Sequence, residues 1–310
     1  MSQQGVAILG VFVADLAFRA LRLPAIGETI IGSGFAVGPG GKGSNQAVAA
    51  ARAGADVSFI SRIGKDTFAE LALKTWAAEG IVPRVTQVET PTGAAFIYVH
   101  ETRGDNAIII APGAAGGICV ADVDAADDAI RSAKVFVTQL EQPVDAAKHA
   151  LTIAREARSI TVFNPAPAVP FDDSLYVLCD YVVPNETEAE ALTGIAVSDL
   201  AAARRAGDAL LTKGAVNAVI TLGERGALFH ARDRSVHVPP FAAGKVVETT
   251  GAGDAFVGGF AAALASGADP LDAARFGSAA AGISVTRPGT APSMPHRAEI
   301  AALLKESAVS

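Results

Sequence analysis

Short apolar runs and longer amphipathic segments alternate along most of the chain. Six runs of three or four residues are apolar through most of their length, as expected of strands buried on both faces of a sheet. They are Val6–Leu9, Val57–Ile60, Val135–Thr138, Thr161–Phe163, Tyr181–Val183 and Ala218–Thr221. The segments between them that have a helical pattern are Ser44–Ala53, Thr67–Glu79, Val144–Arg155, Glu186–Leu192 and Leu200–Lys213. This alternation predicts an α/β fold, a three-layer sandwich in which helices cover both faces of a mostly parallel central sheet.

Two segments interrupt the alternation, because Thr29–Val37 and Ala94–Ala111 are β-rich and have no helix between their strands. The second contains Thr102–Asp105, a turn signal between two short strands. Neither segment fits easily into a parallel sheet. They therefore predict a small antiparallel β lid, formed by about residues 11–38 and 93–112. Its apolar face needs cover, either from closure over a substrate or from a second subunit.

From Gly251 onward the chain is mostly helical, and its richness in Ala and Gly allows helices to pack closely. The predicted helices are Asp254–Ser266, Pro270–Ser284 and His296–Ser307. The sequence contains no internal repeat, no low-complexity tract and no linker that would mark a second domain. We therefore expect residues 1–310 to form one domain that carries the lid.

Composition argues against several classes of function. The chain has 310 residues, a net charge of −7 and only 18% charged residues, so it lacks the basic face that nucleic acids and anionic membranes require. Cys119 and Cys179 have no Cys or His neighbours at metal-ligand spacing, and two free thiols in a reducing compartment are expected. The sequence shows no signal-peptide pattern and no apolar stretch long enough to span a bilayer. These features predict a soluble, cytoplasmic protein that binds neither nucleic acid nor membrane.

The strongest candidate for chemistry is Thr249–Phe256, which contains Gly-Ala-Gly-Asp and leads into an apolar helix. Unpaired N–H groups at a helix start, together with the helix dipole, form an anion site suited to a transferring phosphoryl group. A carboxylate at the same place, Asp254, suits a different task, which is to take the proton from a substrate hydroxyl. The octapeptide is equally consistent with an ordinary glycine-rich loop that has Asp in a favoured first-turn position.

A second glycine-rich segment, Gly38–Asn45, opens a predicted helix. It formally matches G-x-G-x-x-G, so a dinucleotide-dependent oxidoreductase is an alternative. Its context is weak, because Asp56 comes too early for the ribose contact and Asp66, which is nearer the expected spacing, lies past the next strand. A Walker P-loop fails because Lys42 is followed by Gly43 rather than Ser or Thr. What remains is a loop that offers N–H groups, Lys42 and the amide of Asn45 to a polyhydroxyl ligand, or a structural turn.

Two further segments directly follow predicted strands. In Pro184–Glu188, Asn185 would cap a helix with Glu188 in its first turn, which explains the local sequence without any function. The functional alternative is that both side chains meet a Mg²⁺ ion or its waters. Thr221–Gly226 leaves one strand and enters another, so a plain hairpin connection and a nucleotide-wrapping loop are both consistent with it.

Taken in order, these segments resemble the ribokinase-like carbohydrate kinase family, also called the PfkB family. Gly40–Asn45 is similar to the N-terminal signature of the family, and Glu248–Asp254 is similar to the C-terminal one. Further stretches that resemble ribokinases are Asn164–Ala168, Pro184–Glu190 and Val285–Ser293. The resemblance spans about residues 5–305. It implies a ribokinase-like fold and transfer of the ATP γ-phosphoryl group to a primary hydroxyl of a small sugar. D-ribose is the first candidate, and fructose, deoxyribose or a nucleoside are alternatives.

The resemblance also implies roles for individual residues. Asp254 would be the catalytic base, and the anion hole would consist of Gly251, Ala252 and Gly253. Besides Asp254, the sugar pocket would contain Val13, Asp15, Gly41, Lys42, Gly43, Asn45 and Glu141. The ATP site would contain Asn185, Thr221, Gly223, Glu224, Arg225, Gly226, Gly253 and Ser278. Glu188 would support Mg²⁺, and the ligands of a monovalent cation, K⁺, would be Glu248, Thr250, Ser284, Arg287, Gly289 and Ser293. The lid would join two subunits into a homodimer.

Two positions depart from the family pattern in a way that affects function. Val13 stands where ribokinases usually carry Asn, which removes one contact to a sugar hydroxyl and leaves the identity of the sugar open. Glu248 stands where Asp is usual and is one methylene longer, which leaves the affinity and selectivity for the cation open. A catalytically silent sugar-binding regulator of the same fold is a further alternative, but the intact Gly-Ala-Gly-Asp motif argues against it.

Overall fold

The computed structural model describes residues 3–103 and 106–307. Its strands, numbered in chain order, are β1 (Val6–Leu9), β2 (Val13–Ala20), β3 (Gly34–Gly40), β4 (Val57–Ile63), β5 (Val82–Gln87), β6 (Thr92–His100), β7 (Asn106–Gly113), β8 (Val135–Thr138), β9 (Ile160–Phe163), β10 (Tyr181–Val182), β11 (Asn217–Thr221), β12 (Ala227–His230) and β13 (Ser235–Val238). Its α-helices are α1 (Lys42–Arg52), α2 (Thr67–Ala78), α3 (Val120–Asp124), α4 (Asp127–Ser132), α5 (Val144–Glu156), α6 (Glu186–Thr193), α7 (Leu200–Thr212), α8 (Ala252–Ala265), α9 (Pro270–Ser284) and α10 (Arg297–Glu306). Short 3-10 helices are Ala114–Gly117, Asp173–Leu178, Gly223–Arg225 and Ala291–Ser293.

The central sheet has the strand order β13-β12-β11-β10-β9-β8-β1-β4-β5. All neighbours from β11 to β5 are parallel, and β12 and β13 add an antiparallel edge. Side chains alternate between the two faces of a strand, so on β1 Val6 and Ile8 join one apolar core while Ala7 and Leu9 join the other. Buried residues of α1, α2, α8, α9 and α10 complete the first core, and those of α3 to α7 complete the second. The predicted three-layer sandwich is therefore confirmed.

A second, smaller sheet has the order β3-β2-β6-β7. Its outer pairings, β2 with β3 and β6 with β7, are antiparallel as expected. The middle pairing, β2 with β6, is parallel. The prediction of a small sheet beside the main one is confirmed, but the parallel pair in its middle was not predicted. The reason is that β2 and β6 are far apart in the chain, and a sequence pattern does not show which distant strands become neighbours.

The boundaries of the small sheet differ from the sequence-based expectation. The predicted β segment Thr29–Val37 is wrong for residues 29–33, because β3 begins at Gly34 and continues to Gly40. Pairing along the whole of β2 holds this glycine-rich end extended, from Arg19 opposite Gly34 to Val13 opposite Gly40. β2 itself was missed, since its Ala, Leu and Arg residues are also good helix formers. The predicted turn at 102–105 lies partly outside the described residues, which do not include Gly104 and Asp105.

Other differences concern the edges and the short elements. β5 and β13 lie at the two edges of the central sheet and were missed, because polar residues and Pro83 weaken the apolar pattern of an edge strand. The helices α3 and α4 were missed because five and six residues are too few to show a helical period. None of the described helices is long and apolar enough to cross a membrane.

Candidate active site

Asp254 lies in the first turn of α8 and is buried, with only 6% of its surface exposed. Both carboxylate oxygens accept a hydrogen bond from a neutral amide of α1. The Nδ2 of Asn45 donates to Oδ2 at 3.0 Å, and the Nε2 of Gln46 donates to Oδ1 at 3.0 Å. No ion pair to Asp254 is found among the described residues. A carboxylate held by neutral donors keeps more of its basicity than one held by a cation.

Unpaired amides stand beside this carboxylate at the start of α8. Gly251 is the N-cap residue, with φ of 83° and no side-chain cap. Within the described part of the chain, the backbone N–H groups of Gly251, Gly253 and Asp254 have no acceptor, whereas the N–H of Ala252 donates to the carbonyl of Thr249 at 3.2 Å. A Cβ added to Gly253 would meet no atom within 4 Å, so there is free space at this residue of the helix start. The helix start therefore combines unpaired N–H donors with free space at Gly253, two features that an anion site needs.

The predicted sugar-binding residues come from three parts of the fold. Val13 and Asp15 lie on β2, Gly41 to Asn45 form the junction between β3 and α1, and Glu141 follows β8. Glu141 Oε2 accepts a hydrogen bond of 2.8 Å from the backbone N–H of Lys42, which joins two of these parts. Gly41 has φ of 87°, and a Cβ there would lie 2.5 Å from the carbonyl oxygen of Val11, so only glycine fits this junction.

Two of these side chains differ in what they offer a ligand. Val13 is 3% exposed and belongs to the second apolar core, so it contributes an apolar wall at most. The Oδ1 atom of Asn45 is buried and has no hydrogen-bond partner in the described part of the chain, although the Nδ2 of the same amide donates to Asp254. A buried acceptor without a partner is costly in a folded protein. A hydroxyl of a bound ligand would satisfy this atom.

Charges concentrate around Lys42. Burial raises the pKa of Glu141 from an ordinary 4.5 to about 7, against the effect of Lys42. Burial likewise raises the pKa of Asp15 to about 6, opposed by a 3.3 Å hydrogen bond from the Thr290 hydroxyl. Burial also raises the pKa of Asp254, while Lys42 and the amides of Asn45 and Gln46 act in the opposite direction. For Lys42, burial lowers the pKa but is outweighed by the nearby carboxylates, so the ammonium stays charged.

Most of the residues predicted to surround ATP lie at the carboxyl ends of β10 and β11, whereas Gly253 lies on α8 and Ser278 on α9. Asn185 and Glu188 form a capping box at the start of α6, in which Asn185 Oδ1 accepts from the N–H of Glu188 at 2.8 Å and Glu188 Oε2 accepts from the N–H of Asn185 at 2.9 Å. Backbone pairing of Asn185 with Thr221 places the two loops side by side. The structural explanation of this motif, a capping box, is therefore observed. Among the described residues, the second oxygen of Glu188 has no hydrogen-bond donor.

The loop after β11 is a 3-10 turn over Gly223, Glu224 and Arg225 that ends at Gly226, with φ of 86°. The Arg225 guanidinium pairs with Glu186 at 2.9 Å and donates to the carbonyl of Val197, so its side chain braces the loop. Ser278 of α9 is buried and donates to the carbonyl of Pro239 at 3.4 Å. Arg225 and Ser278 therefore have structural partners. In the described residues, the backbone N–H groups of the turn that have no acceptor are those of Gly223 and Glu224.

A comparison with protein families decides the class of the molecule. Residues 3–297 match the model of the pfkB family carbohydrate kinases. The chain belongs to this family. As a pfkB carbohydrate kinase it is a phosphotransferase, and the oxidoreductase alternative is wrong. The glycines behind that alternative also have another role, because Gly38 and Gly40 lie inside strand β3 rather than in a phosphate-binding loop.

Individual carbohydrate kinases are similar to this one over nearly their whole length. It is 38% identical over 304 residues to a ribokinase of Haemophilus influenzae, which covers 97% of this kinase and 98% of the relative. It is 37% identical over 295 residues to a deoxyribokinase of Salmonella typhi, covering 94% and 95%. The solved structure of an Arabidopsis thaliana ribokinase complexed with ribose and ATP superposes with a TM-score of 0.90 at 28% identity, covering 98% and 99%.

The predicted cation ligands of this pfkB kinase lie on two loops that contact each other. The backbone N–H groups of Val247 and Glu248 both donate to the carbonyl of Val285, at 2.8 and 3.2 Å. The Glu248 carboxylate accepts from the N–H of Gly289 at 2.9 Å. Thr250 adjoins the first loop, and the remaining predicted ligands on the second are Ser284, Arg287 and Ser293. No cluster of three or more His, Cys, Asp or Glu that could hold a metal occurs in the described residues, so a cation here would rely on backbone carbonyls.

Three polar residues of the kinase site were missed by the sequence analysis. Gln46, Gln139 and Asn164 are buried and hydrogen-bonded to one another behind Asp254. Gln46 was missed because it directly follows Asn45, and neighbouring residues on a helix usually point in different directions, so both were not expected to reach the same site. Gln139 and Asn164 each directly follow a predicted strand, which is the signal by which they could have been found.

Glu141 gives a prediction on stability without any ligand. Because its pKa is about 7 in the folded protein and near 4.5 otherwise, the unfolded chain releases this proton first, and stability is lost as the pH rises between the two values. Glu141→Gln keeps an acceptor for the Lys42 N–H and removes the buried charge. We expect it to raise the free energy of unfolding by about 2 kcal/mol at pH 8, after allowance for partial exposure of the side chain.

Thermal melts of the sugar-free protein at pH 5 and pH 8 check this expectation. The gain from Glu141→Gln should be a few degrees at pH 8 and smaller at pH 5. An equal gain at both values would show that the charge of Glu141 is not its cause.

Proposed function

We propose that the protein is an ATP-dependent kinase of a small free sugar, with D-ribose as the first candidate substrate. The observation that carries the proposal is the pair formed by a buried, neutrally held carboxylate and unpaired amides at the start of the same helix, with open space before them. General-base activation of a hydroxyl and stabilisation of a phosphoryl group need these two features side by side. The relatives that carry the names ribokinase and deoxyribokinase support a pentose.

In the proposed reaction, Asp254 accepts the proton as the O–H bond of the primary hydroxyl breaks. The sugar oxygen then forms its bond to the γ-phosphorus of ATP, and the bond from that phosphorus to the β,γ-bridging oxygen breaks, which releases ADP. The N–H groups of Gly251 and Gly253 donate to the oxygens of the group in transit. Lys42, whose ammonium stays charged among the carboxylates, adds a positive charge to the same space.

Sugar binding is assigned to the hydrogen-bonding groups around the same space. Asp15 and the free Oδ1 of Asn45 would accept from sugar hydroxyls, and the junction from Gly41 to Gly43 would form the floor. Glu141 would contribute a further carboxyl group, which at a pKa of about 7 acts as donor or acceptor near neutral pH. These groups suit a small polyol rather than a charged substrate.

2-Deoxy-D-ribose is a second candidate, and Val13 is the observation that favours it. An apolar side chain stands where ribokinases usually place an amide. A site built to bind a hydroxyl rejects the analogue that lacks it by about 10⁴-fold or more, whereas an apolar wall discriminates by only about 10²-fold. We therefore propose that the two pentoses differ in kcat/KM by less than about a hundredfold.

Mg²⁺ and K⁺ are proposed as the accompanying ions. Glu188 has an unpaired carboxylate oxygen and burial raises its pKa, two properties that fit a group whose charge is met by a cation. Mg²⁺ usually takes one or two carboxylates and otherwise phosphate oxygens and water, and when bound it would neutralise charge on the phosphates of ATP. The backbone carbonyls between Ser284 and Ser293, with Glu248, are the proposed ligands of K⁺.

An ADP-release assay across pentoses, hexoses and nucleosides tests the proposal directly. We expect turnover with D-ribose, 2-deoxy-D-ribose or both at saturating ATP and Mg²⁺, and a higher rate with K⁺ than with Na⁺ or without a monovalent ion. A protein that binds a sugar in calorimetry but releases no ADP with any acceptor would instead be a silent regulator of the same fold. The ratio of kcat/KM for D-ribose to that for 2-deoxy-D-ribose tests whether the apolar side chain of Val13 weakens discrimination between the two sugars.

The small sheet is proposed to join two copies of the chain. On β2 the side chains of Asp15 and Phe18 point to opposite faces, and the face that carries Phe18 also carries Phe35 and Phe96, with ring centroids 4.7 and 5.7 Å from that of Phe18. Phe35 is 59% exposed and Ile109, opposite Phe96, is 69% exposed. Large aromatic and aliphatic side chains left open on a sheet face are typical of an interface.

Light scattering during size-exclusion chromatography tests the homodimer. We expect twice the chain mass of 31.4 kDa for the unmodified protein, and the single-chain mass for Phe35→Lys combined with Ile109→Lys. Val82→Lys is the control, since Val82 is equally open on an edge strand of the central sheet. A single-chain mass for the unmodified protein at micromolar concentration would contradict the proposal.

The cytoplasm, where ATP is abundant, is the proposed location of the protein.

A further inference from the structure

A chain of side-chain amides connects the backbone of the central sheet with Asp254. The Nδ2 of Asn164 donates to the carbonyl oxygen of Val183 at 2.7 Å. The Nε2 of Gln46 donates to Oδ1 of Asn164 and to Oδ1 of Asp254, both at 3.0 Å. The Nε2 of Gln139 donates to Oε1 of Gln46 at 2.5 Å. Val183, Asn164 and Gln139 directly follow β10, β9 and β8, so the chain of amides crosses the carboxyl edge of the sheet.

The order of donors and acceptors in this chain has only one solution. A backbone carbonyl can only accept, so Asn164 must turn its Nδ2 to Val183 and its Oδ1 to Gln46. Gln46 must then turn its Nε2 to Asn164, and both protons of this nitrogen are used, one on Asn164 and one on Asp254. A flipped Gln46 would place an oxygen against two acceptors, and its buried Nε2 would face the donor of Gln139. Unpaired polar groups in such a position are costly.

We propose that Gln46 is a positioning residue for proton transfer: it holds one oxygen of Asp254 in a fixed direction as a neutral donor, with its own orientation set by Asn164 and Gln139. This inference rests on the proposed function of Asp254 as the proton acceptor. Gln46 is completely buried, so its side chain offers no surface to a ligand. Its effect passes through Asp254.

A neutral amide is the donor that this task requires. A buried carboxylate without donors would stay protonated and could not accept a proton, whereas a carboxylate paired with Arg or Lys would be a weak base. A carboxylate that accepts from two neutral amides has a basicity between these two limits. The charged groups that face Asp254 are Lys42 of α1, Asp15 of β2, Glu141 after β8 and Glu188 of α6. All of them are unchanged when only Gln46 is replaced.

The first experiment is the pH profile of kcat/KM for Gln46→Leu, with the sugar that the unmodified enzyme accepts. Loss of a donor to the ionised form raises the pKa of Asp254, so the acid limb of the profile should move to higher pH. We expect a loss of about ten- to a hundredfold at pH 7, the equivalent of one hydrogen bond to a charged group, with the defect shrinking as the pH rises. The KM of the sugar should change little.

A matched control is Gln142→Leu. Gln142 is also buried and loses two hydrogen bonds on replacement, to the Thr138 hydroxyl and to the carbonyl of Gln139, but it does not contact Asp254. It should reduce stability and leave the acid limb in place. A loss of activity in Gln46→Leu that is equal at every pH, or an acid limb that moves as far in Gln142→Leu, would overturn the positioning role.

The second experiment needs no activity and separates this inference from the proposed function. Because burial raises the pKa of Asp254, its charge costs stability as the pH rises, and removal of Gln46 should increase that cost. In thermal melts, Gln46→Leu should therefore cost more at pH 8 than at pH 5. In the Asp254→Asn background the cost should be the same at both values, since Asp15 and Glu141 titrate in all variants and cancel.

The outcomes are distinct. An unmodified protein that transfers no phosphoryl group to any sugar contradicts the proposed function, while the melts still report whether Gln46 supports the charge of Asp254. A cost of Gln46→Leu that is independent of pH in both backgrounds overturns the inference, whatever the enzyme phosphorylates.

Discussion

Asp254→Asn is expected to lower kcat by about a thousandfold while sugar binding is nearly preserved, since loss of a general base costs about 10²- to 10⁴-fold. The replacement has the same shape and fits the same cavity, but its amide cannot accept the proton of the sugar hydroxyl. One of its two ends will also oppose a donor from Asn45 or Gln46, which costs some stability.

Turnover by ADP release at saturating ATP, together with calorimetric titration of the sugar without nucleotide, separates the two effects. Asp122→Asn is the control, because Asp122 is another buried aspartate, paired with Arg62 away from the site, and its replacement should keep kcat. If binding and turnover fall by the same factor in Asp254→Asn, the carboxylate holds the sugar rather than activates it.

Gly253→Ala should have the next largest effect. We expect it to raise the stability of the protein and to lower kcat. A Cβ at this position would meet no protein atom within 4 Å, at the helix start that carries the unpaired amides. Replacing glycine by alanine inside a helix stabilises it by about 0.5 to 1 kcal/mol. The same methyl group would hinder a phosphoryl oxygen from reaching the amides, a loss comparable to the removal of one donor, about 10²-fold in kcat.

Thermal melts of the ligand-free protein and steady-state kinetics measure the two quantities on one variant. A more stable and far less active enzyme is the expected result. A variant with full activity would mean that phosphate does not approach the helix start, and a destabilised variant would mean that the space in front of Gly253 is closed in solution.

The sequence alone named most residues of the candidate site but not the buried residues that support Asp254. The resemblance brought Asp254 and Asn45 to one place, and the structure joins them by a hydrogen bond although they are 209 residues apart. Ala252 was predicted as part of the anion hole, yet its N–H donates to Thr249 because the turn before α8 is tight. Roles in ATP and cation binding stay predictions for residues such as Asn185 and Thr250.

The rest could not be predicted because it depends on contacts between distant segments. The sequence analysis did not single out Gln46, because its contacts with Asn164 and Gln139 depend on where β9 and β8 place those two residues. The wrong strand assignment for residues 29–33 and the unpredicted parallel pairing of β2 with β6 have the same cause, because both depend on contacts between distant segments. The apolar period and the glycine spacing of a segment predict its secondary structure and its buried face. Which distant segments pack against that face is determined by the whole fold.

The segment around Gly289 and Thr290 has a consequence for how ions and sugars act together. Gly289 donates its N–H to Glu248 on the proposed cation side, and the next residue, Thr290, donates its hydroxyl to Asp15 on the sugar side. Two adjacent residues thus form hydrogen bonds to one acid of the proposed cation site and to one acid of the proposed sugar site. A shift of their backbone that shortens one of these hydrogen bonds alters the other. Binding of the cation should therefore change the affinity for the sugar, and binding of the sugar should change the affinity for the cation by the same factor, because such linkage is reciprocal.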